Sequence, residues 1–315
     1  MAVERPCRLR RSILSVPGNR EKMIEKSRRL PADVVMLDLE DSVPVDQKDE
    51  ARKLVISALQ NGTWRAPTLS VRINPMDSPW AYRDIVDIVE KCGRVLHTVV
   101  IPKVEDPCEV KAVDYFIGQI ELNCGFPSGR IGLEASVETA KGMILVEDIA
   151  VSSRRLETLV FGIADYTSSV GAPAVGVSGH GEAEDFYPGH RWHFPMSRLV
   201  MAAKAAGLMA VDAPYGDFKD IEGLRRSCLI SRGLGYDGKW AIHPDQLSII
   251  NELFAPSPED VERSLKIVRE YEKAREEGRG TCSVDGKMID GATLRLARQT
   301  LEKWKMMESL NRTEG

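Results

Sequence analysis

The strongest constraint on this chain is a recurrence: a short apolar run, a turn signal, then a longer amphipathic stretch. Eight such runs follow one another: SILSV (12–16), DVVMLDL (33–39), TLSVRI (68–73), HTVVI (97–101), RIGLEASV (130–137), TLVFGI (158–163), LMAVD (208–212) and KWAI (239–242). They are short, rich in Val, Ile and Leu and poor in alternating polar residues, the pattern of strands buried on both faces of a parallel sheet. Helical patterns separate them over 19–30, 46–59, 79–91, 106–122, 139–150, 195–205, 218–233 and 244–253, with Asn19 and Asp46 placed as N-caps of the first two. Eight strands alternating with eight helices predict an α/β fold of the (β/α)8 TIM-barrel type. Ala255-Pro256 and Ser257-Pro258 stop the pattern, and a charged helix (258–276), a Gly-rich loop (278–286) and a last helix (291–310) follow. The expected division is a catalytic barrel over 1–255 and a C-terminal helical extension over 256–315, packed on the barrel or on a neighbouring subunit.

Composition narrows the partners. Forty-three basic residues against 47 acidic ones leave a formal net charge of −4, so neither nucleic acid nor an anionic membrane surface is expected as a main partner. No run approaches the roughly 18 apolar residues of a membrane span. The start, MAVERPCRLRRS, has no apolar segment behind its basic residues, so no secretory signal is read there and a cytoplasmic location is expected. The six cysteines, at 7, 92, 108, 124, 228 and 282, form no C-x-x-C pair and no zinc-like spacing. They read as small apolar fillers; Cys282, in a polar segment, is expected to be exposed but has no activating partner beside it.

A barrel gathers its chemistry where the strands end, because the loops there share one mouth. The runs end on Asn19 and Arg20, on Asp38, Glu40 and Asp41, on Arg72 and Asn74, on Lys103 and Glu105, on Glu134 and Glu138, on Asp165, on Asp212 and on His243. All eight endings are therefore expected to build a polar mouth. Glu138 and Asp165 lie 27 residues apart, one strand–helix unit, which predicts projection from adjacent strands about 4.8 Å apart. Two carboxylates that close need a proton or a cation between them. Mg2+ suits an all-oxygen site, and Mn2+ would also fit; the alternative is a pair bridged by Arg72 or Lys103. Arg72 is suited to hold a carboxylate or enolate oxygen bidentately. Both cations can instead pair structurally with Glu40 or Asp41, the reading preferred for Lys103. Arg20 and Lys26, beside the P-G-N-R turn, offer a phosphate site or merely a solvated face. The long segment 166–193, with His180, His190 and His193, reads as a lid over the mouth rather than a metal site.

With these residues in place, the sequence resembles the citrate lyase beta subunit-like family of CoA-ester lyases. The stretches that carry the resemblance are SVPGNR, ADVVMLDLEDSV, SVRIN, VVIPKVE, ASVETAKG, FGIADYTSSVG, VDAPYGDF, GKWAIHPDQ and GKMID, spread through most of the chain. VDAPYGDF, preceded by the long Tyr-, His- and Trp-containing segment, favours the L-malyl-CoA/β-methylmalyl-CoA lyase branch. Tyr166 stands where relatives often carry Phe. The resemblance implies Mg2+ on Glu138 and Asp165, and Arg72 on the substrate carbonyl or carboxylate. It further implies the oxo acid against Ala164 and CoA around Ser15, Arg20 and Lys26, with Ile242 and His243 nearby. It also implies that Asp290 reaches a neighbouring subunit's site as the acid/base, in a homotrimer or homohexamer. Glu40, Asp41 and Lys103 are expected as supporting residues.

The implied reaction is reversible Claisen-type cleavage of malyl-CoA or β-methylmalyl-CoA to glyoxylate and acetyl-CoA or propionyl-CoA. Its rivals are a malyl-CoA thioesterase, a citramalyl-CoA or citryl-CoA lyase, a CoA-independent metal-dependent oxo-acid aldolase, and a catalytically silent barrel subunit. Retention of Glu138, Asp165, Arg72 and Asp290 together argues against the last.

Overall fold

The eight apolar runs form eight parallel strands that close on themselves. In the computed structural model, which describes residues 8–173 and 191–313, β1 (Ser12–Pro17), β2 (Val34–Asp38), β3 (Thr68–Arg72), β4 (Thr98–Ile101), β5 (Gly132–Val137), β6 (Leu156–Phe161), β7 (Met209–Asp212) and β8 (Gly238–Ala241) pair in sequence order. The circle closes where Ile13 of β1 pairs with Trp240 of β8. This is the predicted TIM barrel, with each strand boundary within two residues of expectation. The helices are α1 (Glu21–Ser27), α2 (Lys48–Gln60), α3 (Ala81–Cys92), α4 (Pro107–Cys124), α5 (Ala140–Ile144), α6 (Val146–Ala150), α7 (Ile163–Ser169), α8 (His193–Ala205), α9 (Ile221–Leu234), α10 (Leu247–Leu253), α11 (Pro258–Glu276) and α12 (Gly291–Thr313).

Side chains alternate along a strand, so every second residue enters the barrel. Ile13, Val34, Met36, Val100, Val160, Val211 and Trp240 form one buried cluster there. One pleat further toward the C-terminal ends come Ser15, Asp38, Arg72, Gly162 and Ile242, so polar groups start where the apolar plug stops. The same parity corrects two expected members of the mouth. Val211 points inward, so its neighbour Asp212 points outward, pairing with Lys239 and accepting a hydrogen bond from Ser231 of α9. Glu134 points inward but at the opposite end, where it accepts from Thr98 Oγ1 (2.7 Å) and lies 3.5 Å from Arg10.

Several helix starts differ from expectation for local reasons. Asn19 does not cap α1; its side-chain amide donates to Gln47 (2.6 Å), and Arg20 takes the cap position with no side-chain bond. Asp46 lies inside a short 3-10 turn, Val45–Gln47, that precedes α2. The expected helix over 139–150 divides at Leu145, whose N–H donates to both the Lys141 and Gly142 carbonyls. An additional short helix, α7, occupies what was read as the start of the long segment. His180 and His190 lie outside the described residues, as does most of the expected lid.

The chain divides into two compact units, Met1–Glu252 and Leu253–Gly315. In the second, α11 starts with a capping box between Ser257 and Asp260. The expected Gly-rich loop is a hairpin of β9 (Cys282–Val284) and β10 (Lys287–Ile289). Asp285 and Gly286 connect its strands with φ of 50° and 73°, the left-handed backbone that a tight two-residue hairpin turn requires. Ile267, Val284, Ile289 and Ala297 form this unit's core, and Cys282 is half-buried against it rather than exposed.

At the N-terminal end of the barrel, Arg10 is held by Glu157 (2.6 Å) and Glu134 (3.5 Å), with all three side chains almost fully buried. Removing one partner from such a group strands a buried charge, at a cost of about 3–5 kcal/mol. Glu157→Ala is therefore expected to lower the thermal midpoint clearly in circular dichroism. An unchanged midpoint would show that this ionic lock contributes nothing.

Candidate active site

Register determines which groups meet at the C-terminal end of the barrel. Asp38 pairs with Arg72 across β2 and β3, so two inward-facing side chains of opposite charge are direct neighbours. The Arg72 guanidinium donates Nε–H to Asp38 Oδ1 (2.6 Å) and Nη2–H to Oδ2 (2.7 Å), a two-point contact. Its Nη1 lies 2.9 Å from Glu40, and its Cζ sits 5.4 Å from the Trp240 ring centroid. Burial alone would raise Asp38, but Arg72, with hydrogen bonds from Ser42 and the Glu40 N–H, holds it below the usual carboxylate range. Arg72 is reciprocally stabilised as a cation against its own burial by Asp38 and then Glu40.

A second cation completes the cluster. Lys103 follows Pro102 and has φ of +50°, a left-handed conformation that costs a residue with a Cβ roughly 1–2 kcal/mol. That turn aims its N–H at Glu138 Oε1 (2.7 Å), while its ammonium reaches Glu40 (2.6 Å) and Asp41 (3.1 Å) and stops 4.0 Å from Asp165. Glu138 lies just past β5 and is buried; Asp165 projects from the first turn of α7 rather than from a strand, with 42% of its side chain exposed. Burial pushes Glu138 up to about 7, opposed by Arg72 and reinforced by Asp165. Burial raises Asp165 too, against the pull of Lys103. Gly162 lets β6 pass this close, because a Cβ there would come within 2.1 Å of Glu138 Oε2.

One pocket joins these groups: Ser15, Arg72, Glu138, Ala164, Asp165, Trp240 and Ile242 line it. The structure thus brings together most of the residues that the sequence singled out. Glu40, Asp41 and Lys103 form its acidic flank. His243 stands beside the pocket, stacked on Phe218 (4.6 Å between centroids), and its Nδ1 accepts from the Asp245 N–H. Arg20 is exposed at the start of α1 and is not among the lining residues. Lys26, near the far end of α1, lines a separate open depression with Arg28, Arg29 and Trp64. Tyr166 packs between Phe161 (5.2 Å) and Trp192 (5.7 Å). Asp290 belongs to the second unit, where it caps α12 by accepting from the Thr293 N–H (2.9 Å) and hydroxyl (3.0 Å).

The sequence placed Asp38 at the mouth without giving it a partner, and it did not single out Trp240 or Gly162. The signal for its direction was present: Asp38 shares the inward parity of Val34 and Met36, whereas Asp33, the other charge of that run, has the opposite parity. Trp240 and Gly162 carried no comparable mark, since a core Trp and a strand-end Gly are ordinary.

Oxygen is the only donor type that Glu138 and Asp165 offer, and among the described residues no group of three His, Cys, Asp or Glu side chains is arranged to enclose a metal ion. Two carboxylates with open positions beside them fit a hard dication that keeps water and substrate as its other ligands. Fold and mouth together define a TIM-barrel enzyme with a two-carboxylate site suited to a divalent cation. The HpcH/HpaI aldolase/citrate lyase family matches residues 11–244, and the chain belongs to that family. It is 40% identical to the L-malyl-CoA/beta-methylmalyl-CoA lyase of Rhodobacter capsulatus, over 96% of both chains. It is 34% identical to the citrate lyase subunit beta of Haemophilus influenzae, over 95% of this chain and 98% of that one. Among solved structures it is similar to the protein CitE of Mycobacterium tuberculosis in complex with magnesium, acetoacetate and coenzyme A. That match has a TM-score of 0.72 and 25% identity, covering 96% of this chain and 99% of the other. No described helix is long and apolar enough to cross a membrane.

The position of Glu138 gives a pH dependence with a definite sign. Its folded pKa, about 7, lies above its ordinary value of 4.5, so the neutral form favours the fold. That contribution is complete below pH 4.5 and is lost as pH rises through 7, on the order of 3 kcal/mol at 1.4 kcal/mol per unit. With chelator present, wild-type stability in urea should fall relative to Glu138→Gln between pH 5 and 8. Parallel profiles for the two proteins would rule the effect out.

Proposed function

We propose that this protein is a Mg2+-dependent CoA-ester lyase that reversibly cleaves malyl-CoA or β-methylmalyl-CoA to glyoxylate and acetyl-CoA or propionyl-CoA. The observation that carries the reading is the shared pocket of a fixed guanidinium, Arg72, and the carboxylate pair Glu138 and Asp165. The names of the relatives support the same class: lyases of malyl-CoA esters and citrate lyase subunits. The magnesium in the Mycobacterium tuberculosis complex supports the choice of ion, and Mn2+ would suit the same donors. Glu138 and Asp165 would hold the ion, which when bound supplies Lewis acidity to the oxygens of the oxo acid.

The chain's own groups account for the rest. Arg72 uses Nε and one N–H each of Nη1 and Nη2 on Asp38 and Glu40, leaving two N–H groups for substrate. Because that guanidinium is already fixed, it can stabilise the oxygen that gains charge as the C–C bond breaks without first reorganising. The Ala164 backbone and the Ser15 and Ile242 side chains bound the space left for the oxo acid and the thioester end. Trp240 seals its floor against water. CoA would leave the mouth past His243 toward Arg20 and Lys26.

Asp290, brought by a neighbouring copy in a homotrimer or homohexamer, would move the proton to or from the acyl α-carbon. A cytoplasmic setting agrees with the five described cysteines, which are all free.

Mass spectrometry on malyl-CoA, β-methylmalyl-CoA and citramalyl-CoA tests the reading. Glyoxylate with acetyl-CoA or propionyl-CoA is expected, whereas free CoA and malate would make the protein a thioesterase. Asp290→Asn keeps a good N-cap for α12, so stability should hold while turnover falls at least about 100-fold; unchanged turnover removes Asp290 from the reaction. Asp38→Asn leaves Arg72 in place but loosens its two-point hold, and should lower kcat more than it raises KM. A pure KM effect would limit Asp38 to substrate binding.

A further inference from the structure

Lys103 is a strained residue that touches both halves of the carboxylate pair in different ways. Five carboxylates crowd this end of the barrel (Asp38, Glu40, Asp41, Glu138 and Asp165); Arg72 and Lys103 make the side-chain contacts with them, while Lys48, held by the Leu39 and Glu40 carbonyls, lies close to Asp38, Glu40 and Asp41. The cations are not equivalent. Arg72 is committed to Asp38 and Glu40 deep in the barrel. Lys103 lies nearer the surface, with 31% of its side chain exposed, and its ammonium is the cation 4.0 Å from Asp165. With this left-handed backbone, Lys103 presents its N–H to Glu138 and its side chain to Glu40, Asp41 and Asp165 together. Glycine would reach that backbone without strain, but it would carry no charge.

Resting on the reading that Glu138 and Asp165 hold a divalent cation, we propose that Lys103 sets the affinity of that pair. Its N–H orients the Glu138 carboxylate. Its ammonium, kept in place by Glu40 and Asp41, opposes an incoming dication. Metal binding in the absence of substrate is thereby weakened, and an anionic 2-oxo acid, by adding negative charge at the same place, strengthens it. Metal and oxo acid then bind as a mutually reinforcing pair. A unit charge within a few ångströms of a dication shifts its binding by about tenfold even with waterlike screening.

The test measures Mn2+ binding to the full-length protein by electron paramagnetic resonance of the free ion, with and without glyoxylate. Lys103→Met should bind Mn2+ about tenfold more tightly than wild type without glyoxylate, and should gain less from adding it. Loosened structure weakens a metal site, so tighter binding is a readout that a merely structural lysine would not give. Lys103→Gly keeps the N–H to Glu138 and relieves the strain, so it should also bind more tightly; it carries the test if the methionine variant fails to fold. Equal or weaker binding in the folded variants overturns the proposal. Glu138→Gln and Asp165→Asn separate the two levels: wild-type binding that neither abolishes defeats the metal-site reading itself. Binding that both abolish, but that Lys103 variants leave unchanged, defeats only the role of Lys103.

Discussion

The mouth of this barrel depends on one interaction, the buried contact of Arg72 with Asp38 and Glu40. A guanidinium inside a barrel is costly unless its charge is matched and its N–H groups are used. Here β2 and β3 pair with Asp38 level with Arg72, so the match follows from strand register. A shift of that register by one residue would turn one of the two side chains out of the barrel and break the pair. The apolar layer beneath, ending at Val160, Val211 and Trp240, gives the guanidinium a dry floor on which its contacts are little screened.

From that fixed cation the electrostatics of the site spread outward. Arg72 holds Asp38 ionised and moderates Glu40 and Glu138, both of which burial pushes toward the neutral form. Lys103 does the same for Asp165 on the more open side. The two cations therefore grade the cluster, from a deep carboxylate that stays charged to an outer pair, Glu138 and Asp165, that burial pushes toward the neutral form. The near-neutral balance of the whole chain hides this arrangement, because it averages a local acidic excess over a large surface.

Sequence revealed the barrel because the apolar runs are short, contiguous and evenly spaced, and backbone pairing in a parallel sheet tolerates few other arrangements. It revealed Glu138, Asp165 and Lys103 because each stands just beyond such a run, and Arg72 because it is the charge at the end of one. It erred where strand position and side-chain direction are independent. Asp212 ends a strand as visibly as Arg72 does, yet it points to α9, and Glu134 enters the barrel at the wrong end. Counting alternate residues back from the apolar plug separates these cases, and it also gives Asp38 its inward direction. The local misreadings had a different origin. Asn19 and Asp46 are good caps by type, but a helix starts where the backbone turns, and Pro44 with the 3-10 turn after it delays α2 by two residues. At Asp285-Gly286 the dipeptide that makes a hairpin was submerged in a run of glycines and polar residues.

The C-terminal unit illustrates how a structural bond can prepare a chemical one. Asp290 caps α12, and its two bonds from Thr293 hold the carboxylate in a single direction while the Thr293 backbone N–H keeps its pKa below the ordinary value. A carboxylate so placed is a weak base in water. For the proton transfer proposed for Asp290, that solvent would have to give way to a drier setting, where burial would raise its basicity while the cap still fixes its direction. The capped helix terminus sets the orientation of Asp290; the desolvation is what the proposed neighbouring copy would have to add. On that proposal an Asp-to-Asn change would leave the helix intact and remove the chemistry, because asparagine accepts the capping bonds but has no proton-accepting state to be raised.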